Sequence, residues 1–487
     1  MPRSFRRRQT PTAPQSWEEV WQEDFPLFHF TRREAMTIGM SYRHVFVTGS
    51  TGSGKSSGSM ATIFRSYLRA GYGGLVLSVK NEKDRWVSMC EQAGRLDDLV
   101  IVSIDNGMPY RFNFLDYQLR SKSRGSGSVT NIVELFSTIM DLIENNAKEK
   151  PSEDFWNRSA LDLVENAVIV LSLCDAPLTM ESIKRFITSA PRGGEIDDPD
   201  WKFRSYAAQR LQEAHRRPKT PRQERDLKAA FDYFKDDLAL LNDRTRSSIE
   251  ITVTTIASRF LKGDTRELLC SPTTNLVPEV MWENGKIVLL DMPIIDYGKE
   301  GIIIQGVIKY CFQRAMQQRD LTTHPRPLFL AVDEYQRFIS KYDYIWISEV
   351  RSAGVAAVLA TQSISNLYSV LGGGGRESVD SMLGNLSTVI IHACTDVPTC
   401  EWFTSRVGTE WREMRSRSQG AGGQMTGVTV TEQIEPRLLP SDVFTLKTGG
   451  RANDWQVEGY VVQTGRGVWS STRSSYHKAV FRQEFGG

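Results

Sequence analysis

Eight consecutive residues at positions 49–56, Gly-Ser-Thr-Gly-Ser-Gly-Lys-Ser, have the types and spacing needed to enclose a phosphate chain. Glycines let successive backbone amides point at phosphate oxygens, because no Cβ stands in the way. Lys55 reaches the β and γ phosphates, and the Ser56 hydroxyl is a ligand for Mg²⁺. The pattern predicts a site for ATP and Mg²⁺ that uses Gly49, Ser50, Thr51, Gly52, Ser53, Gly54, Lys55, Ser56 and Ser57.

A second set of chemical groups follows the apolar run at residues 328–332, which reads as a buried strand. Asp333 and Glu334 come directly after it, at the carboxyl end where ligands collect in an open α/β sheet. We expect Asp333 to hold Mg²⁺ and Glu334 to activate the attacking water. Gln362 ends the next apolar run and should lie beside them. It is predicted to sense the γ-phosphate or to position water, the alternative being a polar cap on a strand end.

These groups need a sheet to position them, and strand-like runs occur in two blocks. The first block comprises residues 45–47, 75–79 and 100–104, and the second comprises residues 286–291, 328–334, 355–360 and 389–391. Between the blocks, residues 131–269 follow a 3.6-residue apolar period typical of helices. The sequence therefore predicts an α/β fold: a P-loop NTPase with one parallel sheet, interrupted by an inserted all-helical domain.

Composition narrows the class of protein. The 487 residues include 60 basic and 58 acidic side chains, a net charge of +2, so a nucleic-acid surface must be local. Six widely spaced cysteines indicate a reduced protein without structural zinc. No apolar run approaches the roughly 20 residues that span a bilayer. The N-terminal arginines, Arg3, Arg6, Arg7 and Arg8, precede no apolar region and do not form a signal peptide; they are a solvated tail or a contact for DNA or acidic lipid. A cytoplasmic location is expected.

Three motifs together resemble the conjugative coupling proteins of type IV secretion, the TraG/TraD type within the FtsK–HerA superfamily. The motifs are the glycine loop at 49–56, Asp-Glu-Tyr-Gln at 333–336, and Arg-Ser-Ala-Gly-Val at 351–355 leading to Ala-Thr-Gln-Ser at 360–363. The resemblance extends to Asp-Met-Pro at 291–293 and a C-terminal hairpin near residues 457–468. It implies a RecA-like nucleotide domain carrying an all-helical domain, and six subunits in a ring around DNA.

The resemblance and the helical period together divide the chain into four parts. Residues 1–40 form a basic N-terminal segment, 41–120 the first part of the RecA-like domain, 121–275 the all-helical insertion, and 276–487 the second part of the RecA-like domain with the hairpin.

The resemblance also assigns roles to two arginines. Arg351 matches an arginine that enters the neighbouring subunit's site in coupling proteins, and Arg43 resembles a second such residue. An arginine supplied in trans stabilises charge on the transferring phosphoryl group, so ring assembly would control hydrolysis. The alternative for each is an ordinary surface salt bridge.

The predicted function is an ATP-dependent, ring-forming DNA translocase that recruits and pumps DNA, or a relaxase–DNA complex, to a type IV secretion apparatus. Its expected partners are single- or double-stranded DNA, a relaxase or secretion-channel proteins, and five further copies of itself. About forty residues precede the first strand, so the transmembrane pair typical of coupling proteins is not expected; the protein would associate peripherally with a complex at the bacterial inner membrane. The alternatives are a nucleotide-gated adaptor and a related secretion or defence ATPase that acts on protein.

Overall fold

A computed structural model of the chain describes residues 20–105, 107–120, 128–146, 154–370, 375–419 and 425–483. The N-terminal arginines Arg3, Arg6, Arg7 and Arg8 lie outside the described residues. Among the helices in these ranges, none is both long and apolar enough to cross a membrane.

The strands are short and most of them are buried. They are β1 Pro26–His29, β2 Ala35–Thr37, β3 Val45–Thr48, β4 Gly73–Ser78, β5 Leu99–Val102, β6 Ile287–Asp291, β7 Leu328–Val332, β8 Val355–Thr361, β9 Thr388–Ile391, β10 Thr409–Gln419, β11 Met425–Pro436, β12 Gln456–Gln463 and β13 Tyr476–Arg482.

Nine of these strands form one sheet in the order β13-β12-β9-β3-β8-β7-β4-β6-β5. The seven strands from β9 to β5 run parallel, and β12 and β13 extend the sheet antiparallel. β3 therefore lies next to β8, and β8 next to β7. The carboxyl ends of these three strands, which come just before the glycine loop, Gln362 and Asp333 respectively, meet at one edge of the sheet. We call this the carboxyl edge, and the opposite end of the parallel strands the amino edge.

Helices cover both faces of the sheet. They are α1 Ile38–Ser41, α2 Ala61–Arg69, α3 Lys83–Gln92, α4 Phe114–Arg120, α5 Val129–Asn146, α6 Asp154–Ser172, α7 Met180–Thr188, α8 Pro199–Arg204, α9 Tyr206–Arg216, α10 Pro221–Asp232, α11 Asp243–Phe260, α12 Gly263–Leu269, α13 Val280–Glu283, α14 Ile294–Gln318, α15 Lys341–Glu349, α16 Ile364–Val370, α17 Gly375–Gly384, α18 Val397–Val407 and α19 Pro440–Phe444. Shorter 3₁₀ or π turns occur at Ser56–Met60, Leu96–Asp98, Gly193–Asp197, Tyr233–Leu238, Tyr335–Arg337, Val350–Ala353 and Arg451–Asn453.

Alternation along β7 shows how the sheet divides the core. One face of the strand packs on α14 and on the helices between β5 and β6, and it carries Leu328, Leu330 and Val332. The other face packs on α2 and α3, and it carries Phe329 and Ala331. A strand buried on both faces reads as a continuous apolar run, which is why β7 was visible in the sequence. Between β5 and β6 the described chain is helical; the domain limits of 121 and 275 stay predictions.

The C-terminal hairpin differs from the expectation. It pairs Gln456–Gln463 with Tyr476–Arg482, so its second strand begins eight residues beyond position 468. Two further antiparallel pairs, β1 with β2 and β10 with β11, have no counterpart in the sequence-based prediction.

Candidate functional site

The glycine loop lies at the carboxyl edge, between β3 and a π turn that leads into α2. The amide of Ser50 donates to the Ala393 carbonyl at 2.9 Å, which ties the loop to the residues after β9. Gly54 has φ +85°, and a Cβ there would lie 2.6 Å from Cγ2 of Val457. A side chain at this position is therefore excluded twice, by backbone conformation and by β12.

Lys55 turns its amine into the loop, where it donates to the carbonyls of Gly49 and Ser50, the latter at 3.1 Å. Burial lowers the pKa of Lys55, and the carboxylates of Asp333 and Glu334 only partly offset this effect. The Ser53 hydroxyl is buried and has no hydrogen-bond partner in the described residues. An amine held only by carbonyls and an unsatisfied hydroxyl fit a loop that accepts an anionic, oxygen-rich ligand.

Ser56 and Asp333 are brought together from distant parts of the chain. The Ser56 hydroxyl donates to Oδ2 of Asp333 at 3.2 Å, and Oδ1 of Asp333 accepts from the Glu334 amide at 2.9 Å. The Asp333 side chain is almost fully buried. A hydroxyl and a carboxylate in this arrangement are oxygen donors of the kind Mg²⁺ prefers, so the residues fit the ion.

Glu334 is held by three side chains. Its Oε1 accepts from Lys80 Nζ at 3.0 Å and from Gln362 Nε2 at 3.0 Å, and its Oε2 accepts from Gln336 Nε2 at 2.7 Å. Its backbone has φ +52°, a left-handed conformation that is uncommon for a non-glycine residue. This turn directs the carboxylate back towards the ends of β4 and β8.

The charge state of Glu334 follows from these contacts. Burial alone raises its pKa, but hydrogen bonds from Gln362, Gln336 and Lys80 outweigh burial, so the pKa of Glu334 lies below its ordinary value. The carboxylate is ionised at neutral pH and is therefore able to accept a proton. A cavity of about 390 Å³ opens beside it and is lined by Lys80, Gln362 and Asn366 among others.

Gln362 and Gln336 belong to one chain of hydrogen bonds. The Thr361 hydroxyl donates to Oε1 of Gln336 at 2.8 Å, and Gln336 in turn donates to Glu334. Because β3 pairs with β8 so that Thr48 faces Thr361, this network lies directly beside the glycine loop. The predicted strand-end position of Gln362 thus gives it contact with Glu334; its role stays a prediction.

The sequence-based prediction did not include several neighbours of the loop. The hydroxyl of Ser57 accepts from Nε2 of Gln483 at 2.7 Å, so a residue just after β13 bonds a predicted nucleotide-binding residue. His392 accepts from the Ser59 hydroxyl at 2.7 Å and donates through Nδ1 to the Glu458 carbonyl at 2.7 Å. No local sequence signal could have indicated these long-range contacts.

Arg85 was also outside the predicted set, whereas the sequence favoured a place near the nucleotide for Lys80, just after the second strand-like run. The Nζ atom of Lys80 lies 3.8 Å from Oδ2 of Asp333. Burial lowers the pKa of Lys80, but the carboxylates of Asp333 and Glu334 outweigh burial and raise it above its ordinary value. Arg85 donates to the carbonyl of Ser56 and, at 2.8 Å, to Oε1 of Glu82. The position of Arg85 shortly after β4, which ends beside β7, is the signal that could have identified it.

Arg43 and Arg351 are not brought to this site. Arg43 comes just before β3, and Arg351 lies in the Val350–Ala353 turn before β8, so both are at the amino edge. The seven residues of β8 place this edge about 20 Å from Gln362. Neither guanidinium has a hydrogen-bond or carboxylate partner in the part of the chain that the structure describes, unlike the surface salt bridges considered as the alternative.

The chain is similar to known proteins in one segment of its sequence and in its fold. Residues 327–447 match the family described as the TraM recognition site of TraD and TraG. An N-terminally truncated, unbound form of the bacterial conjugative coupling protein TrwB is 14% identical, with a TM-score of 0.60, covering 100% of this chain and 96% of that chain.

Two further TrwB structures are similar over 93% of this chain and 88% of that one, each with a TM-score of 0.58. They are complexes with the non-hydrolysable GTP analogue GDPNP, at 14% identity, and with ADP and Mg²⁺, at 13% identity. No curated protein sequence matches the chain.

The predicted fold class is confirmed, because the mixed α/β sheet aligns with TrwB over the whole chain. The family match over residues 327–447 and the TrwB fold confirm the resemblance to the TraG/TraD-type conjugative coupling proteins.

Proposed function

We propose that the protein hydrolyses ATP with Mg²⁺ at the carboxyl edge. Lys55 would move from the loop carbonyls to the β and γ phosphates, and the Ser56 hydroxyl and the Asp333 carboxylate would hold the ion. When bound, Mg²⁺ neutralises charge on the phosphate oxygens. The TrwB structures with GDPNP and with ADP and Mg²⁺ support this assignment.

Glu334 is the proposed general base. It is ionised, it borders a cavity of about 390 Å³, and it lies next to Asp333. Gln362, Gln336 and Lys80 fix the direction of its carboxylate, so their common task is to aim it at water. Gln362 has the second task of linking the base to the end of β8.

We further propose that several copies form a ring and that each site is completed by a neighbour. Arg351, which precedes β8, and Arg43, which precedes the neighbouring β3, would enter the adjacent copy's site and stabilise charge on the transferred phosphoryl group. Their lack of partners in the described chain and their distance of about 20 Å from the chain's own Gln362 support a role in trans.

The proposed work of the ring is to move DNA, alone or with a bound relaxase, towards a type IV secretion apparatus. The description of the matched family, a TraM recognition site, supports an accessory protein that contacts an exposed part of residues 327–447. Contacts with the DNA backbone rather than the bases suit a pump, because a motor that read sequence would stall. The proposed location is the cytoplasmic side of a membrane complex.

The observation that carries the proposal is the hydrogen-bonded group of Ser56, Asp333, Glu334, Lys80 and Gln362 beside the glycine loop. It contains every protein group that hydrolysis requires except a cation for the transition state, which a ring would supply.

The test is steady-state ATP hydrolysis by the full chain, without DNA and with single- or double-stranded DNA. We expect DNA to stimulate turnover, and Glu334→Gln to reduce kcat by a factor of about 10² to 10³ while nucleotide still binds. Glu377→Gln, an exposed change in α17, is the matched control and should leave turnover unaltered.

The alternatives give different results. Hydrolysis that Glu334→Gln abolishes but DNA does not alter would favour an ATPase that acts on protein. Nucleotide binding with no turnover that depends on Glu334 would favour a nucleotide-gated adaptor and contradict the translocase.

A further inference from the structure

The strands β10 and β11 form a hairpin that stands apart from the nine-stranded sheet. We call residues 409–419 and 425–436 the arm. Its strands pair only with each other, from Thr409 opposite Pro436 to Gln419 opposite Met425. Eleven residues in β10 make the arm about 35 Å long.

The described side chains of the arm are exposed on both faces. Residues 411–415 and 430–434 are all exposed. The register places Trp411 opposite Ile434 and Arg415 opposite Val430, so all four side chains lie on one face. The three apolar side chains of this face are exposed by 68% for Trp411, 58% for Ile434 and 52% for Val430. On the other face the exposed large hydrophobic residue is Met414, at 46%.

An arm built in this way is not stable by itself. A two-stranded hairpin in water is marginal at best, and three strands or a packed face are needed for independent stability. Glu410 lies directly opposite Glu435 and Glu413 directly opposite Glu432, and like charges in such pairs are destabilising. A partner that covers the Trp411 face would supply the missing packing.

The root of the arm shows where the arm leaves the protein. Arg437 donates to the Thr409 carbonyl at 2.9 Å and to the Ser474 hydroxyl at 3.1 Å, and Ser475 donates to the Val407 carbonyl at 2.6 Å. These serines come just before β13, where Tyr476 pairs with Val462, and Val462 in turn pairs with Val389 near the start of β9. The arm therefore leaves the protein near the amino edge, the edge that carries Arg43 and Arg351.

We propose that the Trp411 face of the arm packs on a second copy of this chain and holds the two copies at the interface where Arg351 enters the neighbour's site. The inference rests on the proposed ring. DNA fits this face less well, because Glu413 and Glu432 lie between the apolar groups and Arg415 is paired with Glu413 at 3.3 Å.

The first test is the distribution of molecular mass of the full chain with a non-hydrolysable ATP analogue, measured over a range of concentrations. We expect the wild type to assemble, and the double substitution Trp411→Ser with Ile434→Ser to raise the apparent Kd for assembly at least tenfold. Met414→Ser, on the opposite face, is the matched control and should shift it by less than about twofold.

Nucleotide binding by each variant shows that it is folded, because residues 411, 414 and 434 are exposed and far from the glycine loop. An unchanged Kd for the double variant, an equal loss in Met414→Ser, or a wild type that stays monomeric would each overturn the proposal.

A second test locates the contact. The six native cysteines are buried, so a thiol-specific photo-crosslinker should react mainly at Trp411→Cys. With a mixture of ¹⁴N- and ¹⁵N-labelled copies, we expect crosslinked peptides of mixed isotope composition. Crosslinks only within one copy, or only to added DNA, would overturn the proposal. DNA-stimulated hydrolysis is a separate measurement, so the translocase can fail while the arm contact stands.

Discussion

The charged groups of the candidate site at the carboxyl edge differ from two arginines at the amino edge. At the carboxyl edge, Asp333, Glu334 and Lys80 are bonded to one another or to neighbouring amides and hydroxyls. At the amino edge, Arg43 and Arg351 have no such partner in the described residues. The first edge holds groups that already bond one another, whereas the second offers two cations that are free to contact another molecule.

The difference has a consequence for Arg85. This residue lies at the carboxyl edge but is already bonded to Glu82 and to the Ser56 carbonyl, so its charge is in use. The unpartnered arginines, and not the nearest one, are therefore the better candidates for the transition-state cation.

The largest expected effect comes from Arg351→Ala. We expect kcat for ATP hydrolysis to fall about 10³-fold, since an arginine supplied in trans contributes at least this factor, with little change in nucleotide affinity. Arg85→Ala should cost about tenfold, in line with a lost hydrogen bond to a charged group. Arg69→Ala, at the exposed end of α2, should have no effect.

A mixture of two inactive variants tests whether Arg351 acts in a neighbouring copy. Lys55→Ala has no working site but an intact Arg351, whereas Arg351→Ala has the reverse. Each alone should be inactive, and a mixture should recover a measurable fraction of wild-type turnover. A larger loss in Arg85→Ala than in Arg351→Ala, or no recovery on mixing, would contradict the assignment of Arg351 as the cation supplied by a neighbouring copy.

The two edges also differ in how far the sequence could predict them. The glycine loop, Asp333, Glu334 and Gln362 were found because parallel strands end at one edge and each buried strand is a continuous apolar run. Gln336 was not assigned a role, because its contact with Glu334 depends on the left-handed backbone at that residue. The arm was not predicted because both of its faces are exposed, so it lacks the alternation that marks a half-buried strand.

One buried histidine lies at each edge, His44 before β3 and His392 after β9. His44 donates through Nε2 to the Ile347 carbonyl, and its Nδ1 accepts from the Ala357 amide at 3.2 Å. Burial lowers the pKa of His44 to about 4, and burial lowers the pKa of His392 to about 4 as well. Both are therefore neutral in the folded protein at pH 5 to 6.

Stability should fall on acidification for this reason. Below the unfolded pKa of about 6.5 the unfolded chain binds a proton at each histidine and the folded chain does not. The free energy of unfolding should drop between pH 6.5 and 4, by on the order of 3 kcal/mol for each histidine. The denaturant midpoint should depend less steeply on pH across this range in His44→Asn and in His392→Gln, by similar amounts. The surface change His215→Gln should leave this pH dependence unaltered. A weaker pH dependence in only one variant would mean that the edges respond unequally to pH.

Gln362→Ala tests the carboxyl edge more finely. Gln362 Nε2 donates to both oxygens of Glu334, at 3.0 and 3.2 Å, and a hydrogen bond to a charged group contributes about 1.5 kcal/mol or more. We expect kcat to fall about tenfold with KM for ATP nearly constant. Asn366→Ala, which alters the same cavity without a bond to Glu334, is the control. Equal effects in the two variants would indicate a change of cavity shape instead of lost positioning of the base.

Arg43→Ala should have the smallest effect. Its guanidinium is half-buried beside the turn that contains Gly465, so it extends less far beyond the amino edge than the exposed Arg351. We expect a loss in kcat of about threefold, the size of a partly solvated charge interaction, and recovery when Arg43→Ala is mixed with Lys55→Ala. A loss as large as that of Arg351→Ala would mean that both arginines contact the same phosphoryl group. A loss that mixing does not recover would mean that Arg43 acts within its own chain, which would leave Arg351 alone as the cation that the amino edge offers to a neighbour.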